Sequence, residues 1–135
     1  MSRADVALRV ALLPVVMLAG VMLYGQAVIV ATKLMPVPET GPLTIAVQIS
    51  QGFLAATLNA ALACYPLARL YGRAATGVAA LIALAVAAGA LHGSGDEADA
   101  TALLLRGWAL LCCVVLLMGG TWLVARRRLA GASAR

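Results

Sequence analysis

The chain is poor in charge and poorest in acid: of 135 residues only five are Asp or Glu, against ten Lys or Arg, and charged residues make up 11%. It has one His, one Phe and three Cys, and aromatic residues contribute 4%. So little polarity excludes an intrinsically disordered chain. It also excludes an ordinary soluble domain, in which about a quarter of the residues are charged. What fills the sequence instead is Ala, Leu and Val, giving 64% hydrophobic residues and a mean hydropathy of +1.01, the composition of helices packed in lipid. One crossing takes about 20 apolar residues. The length therefore holds four or five crossings with short loops, and leaves no room for a separate catalytic domain.

The few acids are also confined in place. Asp5, Glu39, Asp96, Glu97 and Asp99 are all terminal or lie between apolar stretches. Proton-coupled antiport and rotary proton translocation usually depend on a carboxylate inside a span, so the chain by itself is a poor candidate for either. The single histidine, His92, excludes a bis-histidine haem within one chain. There is no C-x-x-C, so quinone-linked disulfide chemistry and standard zinc sites lack their residues. Cys64, Cys112 and Cys113 fall in apolar stretches and read as packing residues, with the adjacent pair pointing about 100° apart on a helix. The G-S-G-D-E-A-D run at 93–99 lacks the spacing of a calcium loop. No cofactor, metal or nucleic-acid partner is expected. The net charge of +5 is read as a signal of topology.

Four uncharged stretches stand out, at about 10–32, 43–68, 74–91 and 102–125. The first follows Arg3 and Arg9 as a secretory signal would, but its apolar run continues through Ile29 and Val30, too far for a signal core, and no small-x-small cleavage site follows. It is read as a retained helix, kinked near Pro14. Pro36, Pro38, Gly41 and Pro42 mark the first loop. Arg69 to Arg73 form a short basic turn, and 92–101 the last loop. The expected fold is all-α: a single integral membrane domain, a bundle of four transmembrane helices. Eight basic residues, Arg3, Arg9, Arg69, Arg73, Arg126, Arg127, Arg128 and Arg135, fall on one side of it, and only Lys33 and Arg106 on the other. The positive-inside rule then puts both termini in the cytoplasm. The Ala- and Arg-rich composition associates the chain with a bacterial inner membrane.

The strongest local feature is on the second stretch. At 100° per residue Thr44, Gln48, Gln51 and Asn59 project within an arc of roughly 80°. Such a polar lane needs partners in hydrocarbon, and should face other helices, another protein or a watery cavity. Gln26 on the first stretch is the expected amide partner of Gln48 and Gln51. Gly52, Ala56, Ala60 and Cys64, and separately Ala79, Ala83 and Ala87, recur every four residues as packing seams. His92 and Arg106 are candidate contacts at the outer face, His92 beside Asp96 or Glu97 and Arg106 reaching Asp99 or Glu97. Arg126, Arg127 and Arg128 are expected to anchor to anionic headgroups, and Trp122 to sit at the interface.

These features lead to a non-enzymatic inner-membrane protein, an accessory, assembly or scaffold subunit that recognises other membrane subunits, or copies of itself, through helix contacts. The alternative is a small oligomeric transporter or channel whose path is the lane of Thr44, Gln48, Gln51 and Asn59.

Overall fold

A computed structural model of the chain describes residues 3–92 and 99–132. It is helical, with no strand among the described residues. Helix α1 covers Arg3–Leu34, α2 Leu43–Tyr71, α3 Ala75–His92 and α4 Ala100–Ala132, with a 3₁₀ turn at Gly72–Ala74 between α2 and α3. Three helical runs are long and apolar enough to cross a membrane: Asp5–Leu34, Leu43–Ala90 and Ala100–Arg128.

The second run corrects the expectation of four separate helices. The basic turn at 69–73 does not unwind: α2 passes through Arg69 and Leu70 to Tyr71, and the 3₁₀ turn joins it directly to α3. Arg69 and Leu70 are good helix formers and the segment has no proline. The bend is confined to Gly72, whose φ of 55° suits a residue without a side chain and whose N–H still bonds the Ala68 carbonyl. The outer two helices also exceed the apolar stretches. Helix α1 begins at Arg3 and α4 begins at Ala100 and passes Arg126 to Arg128 to reach Ala132, because Arg costs little in a helix that has left the hydrocarbon. Pro14 and Pro66 both sit inside uninterrupted helices. The prolines of the 35–42 loop do end a helix. There Met35 N–H bonds Ala31, Thr44 N–H bonds Gly41, and the Thr44 hydroxyl donates to the Pro38 carbonyl at 3.3 Å.

At Gly72 the chain doubles back. Leu67 and Ile82, fifteen residues apart, would lie roughly 22 Å apart on a straight helix, yet both line one small cavity with Gly20 and Ala63. A Cβ placed on Gly20 would sit 2.8 Å from Ile82 Cγ2, so α1 and α3 approach closely there. The Tyr71 hydroxyl donates to the Arg9 carbonyl at 3.3 Å, tying the end of α2 to the start of α1. Helix α4 runs alongside α2 in the same direction: Trp108 lies beside Ile49, Cys113 beside Asn59 and Leu117 beside Cys64. The most extensive helix pair is α2 with α4.

The interior is built from small residues. Ala55, Ala56, Ala60, Ala63, Ala75, Ala79 and Ala83 are buried, with Leu67, Ile82 and Leu117 among the few large side chains inside. Lipid supplies no hydrophobic drive between helices, so close van der Waals approach through small residues holds such a bundle together. Large apolar side chains point outward instead; Leu104 is 75% exposed and Leu84 66%. An apolar surface this extensive suits lipid rather than water.

Candidate functional site

The residues of the α2 lane enter three different environments. Thr44, at the start, is used by the loop through its bond to Pro38. Gln48 and Gln51 line a cavity of about 480 Å³ bounded by the second half of α1, the first half of α2 and the start of α4. The Gln51 amide nitrogen donates to the Met35 carbonyl, one of the backbone acceptors that the end of α1 leaves free. Asn59 lies deeper and is 1% exposed; its Nδ2 is 3.8 Å from Cys113 Sγ, and its Oδ1 is buried with no hydrogen-bond partner.

The amide pair expected between α1 and α2 does not form. Gln26 is exposed and lies outside the cavity. The α1 residues that reach the lane are Tyr24, Val28, Ala31 and Thr32, and Ala27 and Ala31 pack against Ala55. Helix α1 is therefore turned so that its small residues, not Gln26, meet α2. Tyr24 comes between the cavity and the deeper cluster of Ala56, Cys112 and Cys113.

Arg106 and Asp99 line the same cavity, with no ion pair joining them. Thr101 and Ala102 complete the α4 wall, and the Asp99 carbonyl accepts from Leu103 N–H at the start of the helix. The cavity is mostly apolar toward Ala55 and Ala109 and polar toward Gln48, Asp99 and Arg106. His92 is exposed at the end of α3. The proposed neighbours Asp96 and Glu97 lie outside the described residues, as do Gly93, Gly95 and Arg135.

At the opposite end of the bundle the three arginines have distinct places. Arg126 stacks over Trp122 at 5.2 Å from the ring centroid. Arg128 lies over Tyr65 at 4.8 Å and donates to its hydroxyl at 3.1 Å, crossing from α4 to α2. Arg127 is exposed. Two of the three cations are thus held by aromatic faces, a link the sequence reading missed because Tyr65 and Arg128 are 63 positions apart.

Other partners escaped the sequence as well. Trp108 Nε1 donates to the Ile49 carbonyl at 3.2 Å. Thr121 is completely buried, its hydroxyl turned back to Leu117 and Met118 of its own helix, an arrangement that lets a hydroxyl enter lipid without an outside partner. The seam of Gly52, Ala56, Ala60 and Cys64 is real and faces α4: Gly52 meets Ala109, Ala56 packs with Cys112 and Cys113, and Cys64 abuts Gly120. Ala79 and Ala83 are buried inside the bundle. No group of three or more His, Cys, Asp or Glu side chains able to hold a metal occurs among the described residues. No protein-family model, curated protein or solved structure matches the chain, so its function has to be read from the geometry of its own side chains.

Proposed function

We propose that the chain is a non-enzymatic integral protein of a bacterial inner membrane. It crosses the bilayer four times, the 43–90 run folding at Gly72 into two crossings. Both termini and the Gly72 turn face the cytoplasm, and the 35–42 loop and the cavity lie on the outer side. Its role is that of an accessory or scaffold subunit, joined to other membrane subunits or to further copies of itself by helix contacts.

The observation that carries this reading is Gln26. It is exposed on α1, between Ile29, exposed at 46%, and Met22, at 62%. Gln26 makes no hydrogen bond among the described residues, and beside it a Cβ on Gly25 would meet nothing within 4 Å. An amide facing hydrocarbon requires a partner, and a neighbouring glycine lets another helix approach closely enough to provide one. On α2, by contrast, the Gln51 and Asn59 amide nitrogens are engaged within the chain.

Purification in mild detergent followed by mass spectrometry tests the reading. The chain is expected to co-isolate with a membrane partner or as an oligomer, and Gln26→Leu is expected to weaken that association by about 3- to 20-fold, the worth of one interhelical amide contact of roughly 0.6–1.7 kcal/mol. A monomer that retains no partner overturns it.

The cavity lined by Gln48 and Gln51 favours a second reading, a transporter with its path along α2. Beneath that cavity Tyr24, Ala56, Asn59, Cys112 and Cys113 pack together, so transport requires this layer to open. Flux in reconstituted vesicles that is unchanged in a Gln48→Leu, Asn59→Leu double variant removes the lane from any such path.

A further inference from the structure

The cavity between α1, α2 and α4 presents two opposite charges that do not meet. Asp99 and Arg106 are seven residues apart, on one face of the start of α4 and about 10 Å apart along its axis. Both are exposed, both line the cavity, and no ion pair joins them. Gln48 on the α2 wall and Tyr24 at the base of the cavity carry an amide and a phenol with no hydrogen-bond partner among the described residues. The floor is apolar, formed by Val28, Ala31, Ala55 and Ala109. At about 480 Å³ the space is within the usual range for a small-molecule pocket, roughly 300–1,000 Å³.

We infer that this cavity holds the head of one phospholipid that carries a primary ammonium beside its phosphate, with Arg106 binding the phosphate and Asp99 the ammonium. A purely anionic head would be drawn to Arg106 but repelled by Asp99, and a purely cationic head would meet the reverse. A zwitterion answers both charges. The guanidinium fork suits phosphate oxygens, which it can bind in pairs. A primary ammonium offers three N–H donors, which a carboxylate can accept and which a quaternary ammonium lacks. The unpartnered Gln48 amide adds a neutral donor on the α2 wall. The apolar floor selects a lipid over a soluble zwitterion, because an acyl chain covers the exposed Val28 and the half-buried Ala109. This assignment depends on the chain lying in a bilayer, not on the subunit role of Gln26.

Native mass spectrometry of the full chain, offered phosphatidylethanolamine, phosphatidylcholine and phosphatidylglycerol in equal amounts, tests it. One phosphatidylethanolamine is expected to be retained at least about tenfold over either competitor, the size of one charge-assisted hydrogen bond. Asp99→Asn is expected to abolish the preference, and Arg106→Gln to lower the retention of all three lipids, which share the phosphate, neither changing thermal unfolding, since both side chains are exposed. Arg106→Lys, which keeps the charge and loses the fork, is expected to keep part of that retention. Equal retention of the three lipids by the unaltered chain, a preference that survives Asp99→Asn, or retention unchanged in Arg106→Gln overturns the assignment. Soluble phosphoethanolamine competing as well as the lipid overturns the acyl-chain half of it.

Discussion

Asn59 and Cys113 meet at the centre of the α2–α4 interface, amide nitrogen to sulfur at 3.8 Å, and leave the Asn59 carbonyl oxygen buried without a donor. A thiol is a weak partner for an amide, and an unsatisfied acceptor in a dry interior costs about 1–3 kcal/mol. The pair therefore orients the two helices more than it stabilises them. Replacing Asn59 by Leu, of similar bulk, should leave thermal stability in detergent unchanged or raise it by about 1–2 kcal/mol. Asn59→Asp should lower it by several kcal/mol, because a buried charge would have no counterion. A large loss in Asn59→Leu would show that a donor does satisfy Oδ1 in the membrane.

Gly120 is close enough to Cys64 that a Cβ on it would fall 2.6 Å from the sulfur. Gly120→Ala should destabilise the bundle by about 1–3 kcal/mol through overpacking. Cys64→Ala should rescue it, since the remaining Cβ–Cβ separation of 3.7 Å is ordinary contact. The non-additivity is read from unfolding of the single and double variants.

The reversal at Gly72, with the proposed orientation, predicts a labelling pattern. With the native cysteines replaced by alanine, Thr40→Cys should react with an impermeant maleimide from outside the cell, and Arg73→Cys only after the membrane is opened. If residues 43–90 formed one continuous crossing, position 73 would lie within the bilayer and resist both treatments.

The Arg128–Tyr65 contact ties α4 to α2 at the arginine-rich end through a stacked guanidinium and a hydrogen bond. Tyr65→Phe keeps the ring and should cost about 0.5–1 kcal/mol in thermal stability, while Tyr65→Leu should cost about twice that by removing the cation–π face as well. Equal losses in the two variants would assign the whole contact to the hydroxyl.

Membrane embedding was legible without coordinates, because 64% apolar residues with charges confined to the ends of apolar runs leave few soluble alternatives. So was the break at Pro36–Pro42, since prolines without N–H groups end helices wherever they fall in sequence. The seam of Gly52, Ala56, Ala60 and Cys64 was legible as a packing face from its spacing alone. The reversal at Gly72 falls inside the turn read at 69–73, but the helix continuing through Arg69 and Leu70 to Tyr71 was not legible, because the bend is confined to one glycine.

The rotation of each helix was decided only by tertiary packing. In a soluble protein the buried face of a helix is marked by its apolarity, but in lipid both faces are apolar and hydropathy carries little record of which one turns inward. Helix α1 is the clear case: from Val10 to Ala31 its residues are apolar on every side apart from Tyr24 and Gln26. Close approach of Ala27 and Ala31 to Ala55 and of Gly20 to Ile82 sets its rotation. That packing turns Tyr24 toward the cavity and leaves Gln26 facing out. Sequence alone determined that the chain belongs in a membrane and where its polar groups lie along each helix. The packing of small residues determined which of those groups meet.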